Sequence, residues 1–307
     1  MDEQTSEFNA ISGILKKSAR ILCWIMTAQK NRYKAFAVNA TWAQRCNKVI
    51  YITPAKGTGL PSVDLNIPEG RNYLWEKTKR SFLWIYENEI DNYDWFLKAD
   101  DDTYVVMENL RFMLLPYSPN DPLYFGCKFK PHVRQGYMSG GAGYILSREA
   151  IRRFVEEALP NESKCNNTSD GDEDVQMGRC LQNVDVTAID TRDHNGKHRL
   201  LPFSPTAHME PKRKDALPAG FYRYMYYNYQ KGSPNCCSEY LISFHYVNRE
   251  TMFLIDTLLY HVRPIGFLDE FWKNHLQKTQ GNFIIEVLKD LALKTNQPVN
   301  EAETTKD

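Results

Sequence analysis

Three consecutive carboxylates, Asp100-Asp101-Asp102, directly follow an apolar run, Trp95-Phe96-Leu97-Lys98-Ala99. Like charges at the mouth of a buried strand repel one another and lose hydration. Such a cluster is kept most readily where a divalent cation or a metal–diphosphate complex lies against it. On an extended backbone Asp100 and Asp102 leave the same side, and oxygen ligands of this kind suit hard cations such as Mn2+ or Mg2+. The plainer alternative is an acidic turn capping a helix that begins near Val105.

Strand-like and helix-like segments alternate around this junction. Ile21 to Thr27 reads as a buried strand, Arg32 to Gln44 as a helix and Lys48 to Thr53 as a strand. A Pro- and Gly-bearing loop runs from Pro54 to Gly70. Asn72 to Glu89 has a broad apolar helical face, and Asp94 to Ala99 is the strand that ends at the acids. Helix Met107 to Leu115 follows, then strands Leu123 to Cys127 and Tyr137 to Leu146. Cys180 to Ile189 reads as a helix end and a strand, with later helices at Thr251 to Val262 and Phe283 to Lys294. The alternation predicts an α/β sheet with its sites at the strand carboxyl ends. The expected division is a flexible lead-in over 1–19, one domain over 20–268, and a C-terminal helix with a polar tail over 269–307.

Lys plus Arg and Asp plus Glu number 38 each, which argues against nucleic acid as a partner. No apolar run approaches the roughly 20 residues that span a bilayer. Met1 to Ala10 is polar and acidic, unlike a signal peptide. The expectation is either a targeting segment missing from this chain or a cytosolic protein. The acceptor patterns Asn39-Ala-Thr41, Asn161-Glu-Ser163, Asn166-Asn-Thr168 and Asn167-Thr-Ser169, with seven Cys, favour a secretory lumen. Seven thiols allow at most three internal bridges, and Cys165 with Cys180, enclosing a short polar loop, is the expected pair.

Five blocks carry a family likeness: Ile21-Leu-Cys-Trp-Ile-Met-Thr27, Ala40-Thr-Trp-Ala-Gln-Arg-Cys46, Asp94 to Tyr104, Tyr137-Met-Ser-Gly-Gly-Ala-Gly-Tyr144 and Ser243-Phe-His-Tyr246. In this order and spacing, from about Ala19 to Leu268, the chain resembles the core 1 β1,3-galactosyltransferases, inverting β1,3-glycosyltransferases related to Fringe. Arg45-Cys46, Cys127-Lys128-Phe129, Gly178-Arg179-Cys180 and Cys236-Cys237-Ser238 point to the core 1 branch. The resemblance implies a GT-A nucleotide-sugar-binding fold, a central mixed and largely parallel sheet flanked by helices. It implies metal-dependent transfer of galactose from UDP-galactose to the 3-hydroxyl of Ser/Thr-linked N-acetylgalactosamine, with Mn2+ (or Mg2+) as cofactor. GalNAc-bearing glycoproteins are the implied partners and a homodimer is possible. The implied location is the Golgi lumen, through a type II membrane anchor that this chain does not display.

The resemblance also assigns candidate roles. Asp102 is the foremost metal ligand, with Asp100 and, from the late Phe-His block, His245; by residue type alone His245 reads as a core or interface histidine more often than as a ligand. Asp100 and Asp101 are alternatively contacts to ribose or metal-bound water. Asp174 is the candidate general base and Glu173 the alternate, or a sugar hydrogen-bonder; an acidic first helical turn is the simpler reading of both. Thr27 ends the first strand, where a uridine would sit. Gly140 and Gly141 would let backbone approach the donor sugar, or simply form a tight turn. Lys98 and Arg32 are candidate phosphate or acid partners, a salt bridge being the alternative for Lys98 and a solvated charge for Arg32. Tyr226 and Tyr227, in the aromatic stretch Phe221 to Tyr229, are candidates for the acceptor sugar, against a core or dimer-interface cluster. Met225 stands where relatives carry Trp. The rival functions are a Fringe-like N-acetylglucosaminyltransferase and an inactive, chaperone-like paralogue; chaperone-like members lack the acid triplet that is present here.

Overall fold

A computed structural model describes residues 3–54, 59–210, 217–218, 220–230, 232, 235–262 and 281–296. Its centre is strand β1 (Ile21–Met26), buried at every position. Ile21, Cys23 and Ile25 enter one apolar core while Leu22, Trp24 and Met26 enter another. A strand covered on both faces needs no polar alternation, which is why its sequence is uninterrupted apolar. Seven strands form the main sheet, in the spatial order β10 (Thr187–Ala188), β6 (Leu123–Gly126), β9 (Tyr144–Ser147), β4 (Trp95–Asp100), β1, β2 (Lys48–Ile52) and β3 (Ser62–Val63). All neighbours pair parallel except β9, which runs antiparallel to both β4 and β6.

Helices cover both faces. Helices α2 (Arg32–Ala40) and α4 (Met107–Leu114) contribute Val38, Leu110 and Met113 to one core. Helices α3 (Leu74–Glu89), α5 (Arg148–Arg153) and α6 (Glu173–Gln182) contribute Phe82, Ile151 and Leu181 to the other. The first core also takes Ala207 of α7 (Pro205–Met209), Phe221 of α8 (Phe221–Tyr224) and Met252 of α9 (Arg249–Tyr260). Two small sheets complete the order. One is β11 (Leu200–Leu201), β12 (Ser243–Phe244) and β5 (Tyr104–Val105); the other is the antiparallel pair β7 (Lys128–Phe129) and β8 (Tyr137–Met138). The expected α/β class, with a mixed, largely parallel sheet between helices, is the observed one.

Four local expectations are corrected. The lead-in expected to be flexible contains helix α1 (Glu3–Ser18), whose Leu15 packs with Phe112, Leu115 and with Leu288 and Ala292 of α10 (Gly281–Asn296). The run Tyr137 to Leu146 is two strands, because Ser139 to Gly143 turns, with Gly143 at φ +79°, a region glycine enters without penalty. The expected helix to Gln44 stops at Ala40 and gives way to a 3-10 turn, Trp42–Arg45. The helix after the acids starts at Met107 with Val106 at its N-cap, so the triplet caps nothing. The boundary expected at 268–269 and the tail beyond 296 lie outside the described residues.

Cys165 pairs with Cys180 as expected, and Cys23–Cys46 and Cys236–Cys237 are also bridged, leaving Cys127 as a buried thiol. Cys23–Cys46 ties β1 to the end of the 3-10 turn that precedes β2. Among the described residues no helix is long and apolar enough to cross a membrane.

Candidate active site

The acids occupy a turn between β4 and β5, closed by Thr103 N donating to Asp100 O at 3.1 Å. Strand β12 pairs antiparallel with β5, Phe244 opposite Tyr104, and Val247 N donates to Asp102 O at 2.9 Å. This pairing brings His245 over the turn. Its Nε2 stands 3.1 Å from Asp102 Oδ1 and 3.6 Å from Asp100 Oδ2. Asp100, Asp102 and His245 can each direct one ligand atom into a space where all three atoms lie within 4.8 Å of one another.

Asp101 points the other way. It is buried and accepts the Thr27 hydroxyl at 2.7 Å, which fastens the acid turn to the end of β1. Burial, with Asp102 adding to it, pushes the Asp101 pKa up to about 6. Burial would raise Asp102 as well, but hydrogen bonds from His245 and Lys34 reverse this and hold it at about 2. Lys34, on α2, lies 2.9 Å from Asp102 Oδ2 and 3.8 Å from Asp101 Oδ1.

Lys98 supplies the cation beneath the turn. It is 2% exposed, donates to Asp100 Oδ1 at 2.6 Å and to Gly140 O at 3.1 Å, and lies 3.9 Å from Glu173 Oε2. Burial would lower its pKa; Asp100 and Glu173 outweigh this and raise it. Of the roles open to Lys98, the structure displays the salt bridge.

Because β9 is antiparallel to β4, the turn preceding β9 arrives at the end of β4, and the glycines of that turn meet the acids. At Gly141 a Cβ would fall 2.1 Å from His245 Nδ1, and at Gly140 one would fall 2.8 Å from Glu173 Oε2. Both positions therefore require close backbone approach to the side chains of His245 and Glu173. Gly140 N donates to Asp174 Oδ2 at 3.0 Å. The backbone of Gly140 thus joins Asp174, at the start of α6, to Lys98 and the acid turn. Glu173 is buried and accepts from Tyr144 at 2.6 Å and Thr78 at 3.1 Å. Asp174 is half-buried. Burial raises the pKa of both carboxyls above the ordinary range.

Tyr226 and Tyr227 sit beside β7, with Tyr226 N donating to Lys128 O at 3.0 Å. They meet edge to face at 4.9 Å between centroids, with Lys128 4.2 Å from the Tyr226 ring and Arg192 3.7 Å from that of Tyr227. Met225 is buried and bridges to Phe129. Tyr246, exposed and at φ +52°, stacks on Phe203 next to His245. Arg32 lies 5.2 Å from the Phe36 ring. Lys34, Tyr144 and Thr78 are the site residues that sequence reasoning missed. None of the three carried a signal that its residue type or spacing would single out.

The Fringe-like family model matches residues 18–206. The chain is 41% identical over 262 residues to the Xenopus laevis glycoprotein-N-acetylgalactosamine 3-beta-galactosyltransferase 1, covering 85% of this chain and 72% of that protein. It belongs to the Fringe-like family. This Fringe-like protein is a glycosyltransferase. It is also 28% identical over 183 residues to the Mus musculus beta-1,3-glucosyltransferase (58% of this chain, 36% of that one) and 29% identical over 178 residues to Homo sapiens chondroitin sulfate synthase 3 (52% and 20%). Among solved structures it aligns loosely with the galactosyltransferase LgtC in complex with donor and acceptor sugar analogues, at TM-score 0.40 and 10% identity over 82% of this chain and 99% of that one.

The donor set fits a divalent cation: two carboxylates of one turn meet an imidazole from a distant segment, and the missing Cβ at Gly141 makes the room that His245 occupies.

Proposed function

We propose that the chain transfers galactose from UDP-galactose to the 3-hydroxyl of Ser/Thr-linked N-acetylgalactosamine, with inversion at the anomeric carbon. Asp100, Asp102 and His245 hold Mn2+ in this reading. The metal would offset the negative charge that gathers on the diphosphate leaving group. Thr27 and Asp101 form the floor for the nucleoside, and the backbone at Gly140 and Gly141 borders the donor sugar.

Asp174 accepts the proton of the acceptor hydroxyl. The hydroxyl oxygen forms the new bond to the anomeric carbon as the bond from that carbon to UDP breaks, and the electron pair leaves with the diphosphate. A carboxylate raised above its ordinary pKa is a better base, and burial raises Asp174 in this way. Glu173, fastened by Tyr144 and Thr78, orients Lys98 and the Gly140 turn. Tyr226 and Tyr227 contribute to an acceptor subsite, and the working compartment is the Golgi lumen.

The observation that supports the reading is the polar chain from His245 through Asp100, Lys98 and Gly140 to Asp174, which would couple the proposed metal site to the proposed base. The test offers purified protein UDP-galactose or UDP-N-acetylglucosamine with a GalNAc-Thr peptide, with Mn2+ or with EDTA. Transfer of galactose alone, abolished by EDTA, is expected. Full activity in EDTA, or transfer of N-acetylglucosamine instead, would overturn it.

A further inference from the structure

Both oxygens of Asp102 are engaged, and by different kinds of partner. Oδ1 faces His245 Nε2 at 3.1 Å, while Oδ2 accepts from Lys34 Nζ at 2.9 Å. The same ammonium lies 3.8 Å from Asp101 Oδ1, so it neutralises the two adjacent acids at once.

An imidazole can change from hydrogen-bond donor to metal ligand by releasing a proton. An ammonium carries donors only and cannot ligate. A divalent cation that takes Asp102 therefore competes with Lys34 for the same carboxylate charge. Lys34 is built to yield. Its side chain is 26% exposed, on a flexible four-carbon stem. Lys98 is the contrast: fully enclosed, it donates to Asp100 and to Gly140 O, with Glu173 beside it. Lys77 donates to Thr27 O at 2.6 Å, and no bond from it to the acids is among those described.

A displaced ammonium at the mouth of this site needs another anion, and the substrate class proposed above brings one. We propose that Lys34 is an exchangeable counter-cation. It neutralises Asp101 and Asp102 while the site lacks metal, and moves to the phosphate oxygens of a nucleoside diphosphate once the cation holds the carboxylates. The inference rests on the metal-site reading under Proposed function. It assigns Lys34 two effects of opposite sign: against metal alone, and in favour of nucleotide once metal is present.

The test titrates Mn2+ alone into the metal-stripped full chain, following free Mn2+ by electron paramagnetic resonance, and then UDP at saturating Mn2+ by calorimetry. Lys34→Met should bind Mn2+ alone at least about fivefold more tightly than the parent, the lower range for coupled sites. Its affinity for UDP should fall roughly tenfold, the worth of one charge-assisted hydrogen bond. Lys34→Arg should stay near the parent in both, and Lys34→Gln gives the same comparison if the Met variant fails to fold. Unchanged or weaker Mn2+ binding in Lys34→Met, or unchanged UDP binding, overturns the proposal. Asp102→Ala separates the two failures. If it loses Mn2+ while Lys34→Met behaves as the parent, the Lys34 inference alone is wrong; if it binds Mn2+ as well as the parent, the metal-site reading falls and takes this inference with it.

Discussion

Gly141 stands so close to His245 that the smallest possible side chain on it would lie 2.1 Å from the Nδ1 of the imidazole. One added carbon must push the ring off the acid turn. Gly141→Ala should therefore weaken Mn2+ binding at least as much as loss of a partner that orients a ligand, roughly 10- to 100-fold. Calorimetric titration with Mn2+ checks this, with circular dichroism to establish that the sheet persists. Parental affinity in the folded variant would mean that His245 does not hold the metal.

Asp174→Asn keeps the size and the acceptor oxygen that Gly140 N uses, but loses the basic carboxylate. Transfer should fall by roughly 100-fold or more, the usual contribution of a general base. UDP and Mn2+ affinities should stay within a factor of two or so, since neither contact involves this residue in our reading. Comparing kcat with the two binding constants decides the matter. Turnover at the parental rate would transfer the role of base elsewhere.

Lys98 is the buried cation facing Asp100 and Glu173, so its removal leaves the buried Glu173 and the partly exposed Asp100 uncompensated. Lys98→Met should cost about 3 kcal/mol of folding stability, as for other buried pairs broken on one side. Adding Glu173→Gln removes one of the orphaned charges and should recover a measurable part of that loss. Urea midpoints of the parent, both single variants and the double variant test this as a cycle. An additive result would mean that Lys98 and Glu173 do not interact.

Asp94 anchors the start of β4 through Arg20 at 2.7 Å and Arg148 at 2.6 Å. Burial would raise its pKa, but the hydrogen bonds from Arg20 and the charge of Arg148 depress it below the ordinary value. A carboxyl depressed in the folded state binds fewer protons there than in the unfolded chain. Its stabilisation is complete above the unfolded pKa of about 3.9 and is lost as pH falls through the folded one. The melting-temperature gap between the parent and Asp94→Asn should thus be widest at neutral pH and begin to narrow only as pH falls below about 4. A gap that does not change with pH would assign the difference to packing.

Much of the architecture follows from local pattern. The apolar run of β4 and its acidic end mark both a central strand and the centre of the site. The continuous apolar stretch of β1 marks a strand covered on two faces. What local pattern does not carry are the placements made by distant pairing. β12 is two residues long, too short for any periodicity, and His245 reaches the acids only because Phe244 pairs with Tyr104. α1 has few apolar residues and is held by Leu15 against α4 and α10, partners far along the chain. Cys23–Cys46 joins a strand to a turn that the sequence presents as the end of a helix. Lys34 is indistinguishable by residue type from any solvated helical lysine until the acid turn is seen beside it.

The seven strands of the main sheet are complete by Ala188, and the match to the Fringe-like family ends at residue 206. His245 comes later, delivered by a strand outside that sheet. The strands of the scaffold and the proposed third metal ligand therefore lie in successive stretches of the chain. A product shortened just beyond residue 206 would keep the residues of every strand of the main sheet and of the acid turn, yet would lack His245. Splicing or proteolysis in that interval would thus remove the proposed third ligand together with Phe221 and Met252, which pack into the core on one face of the sheet.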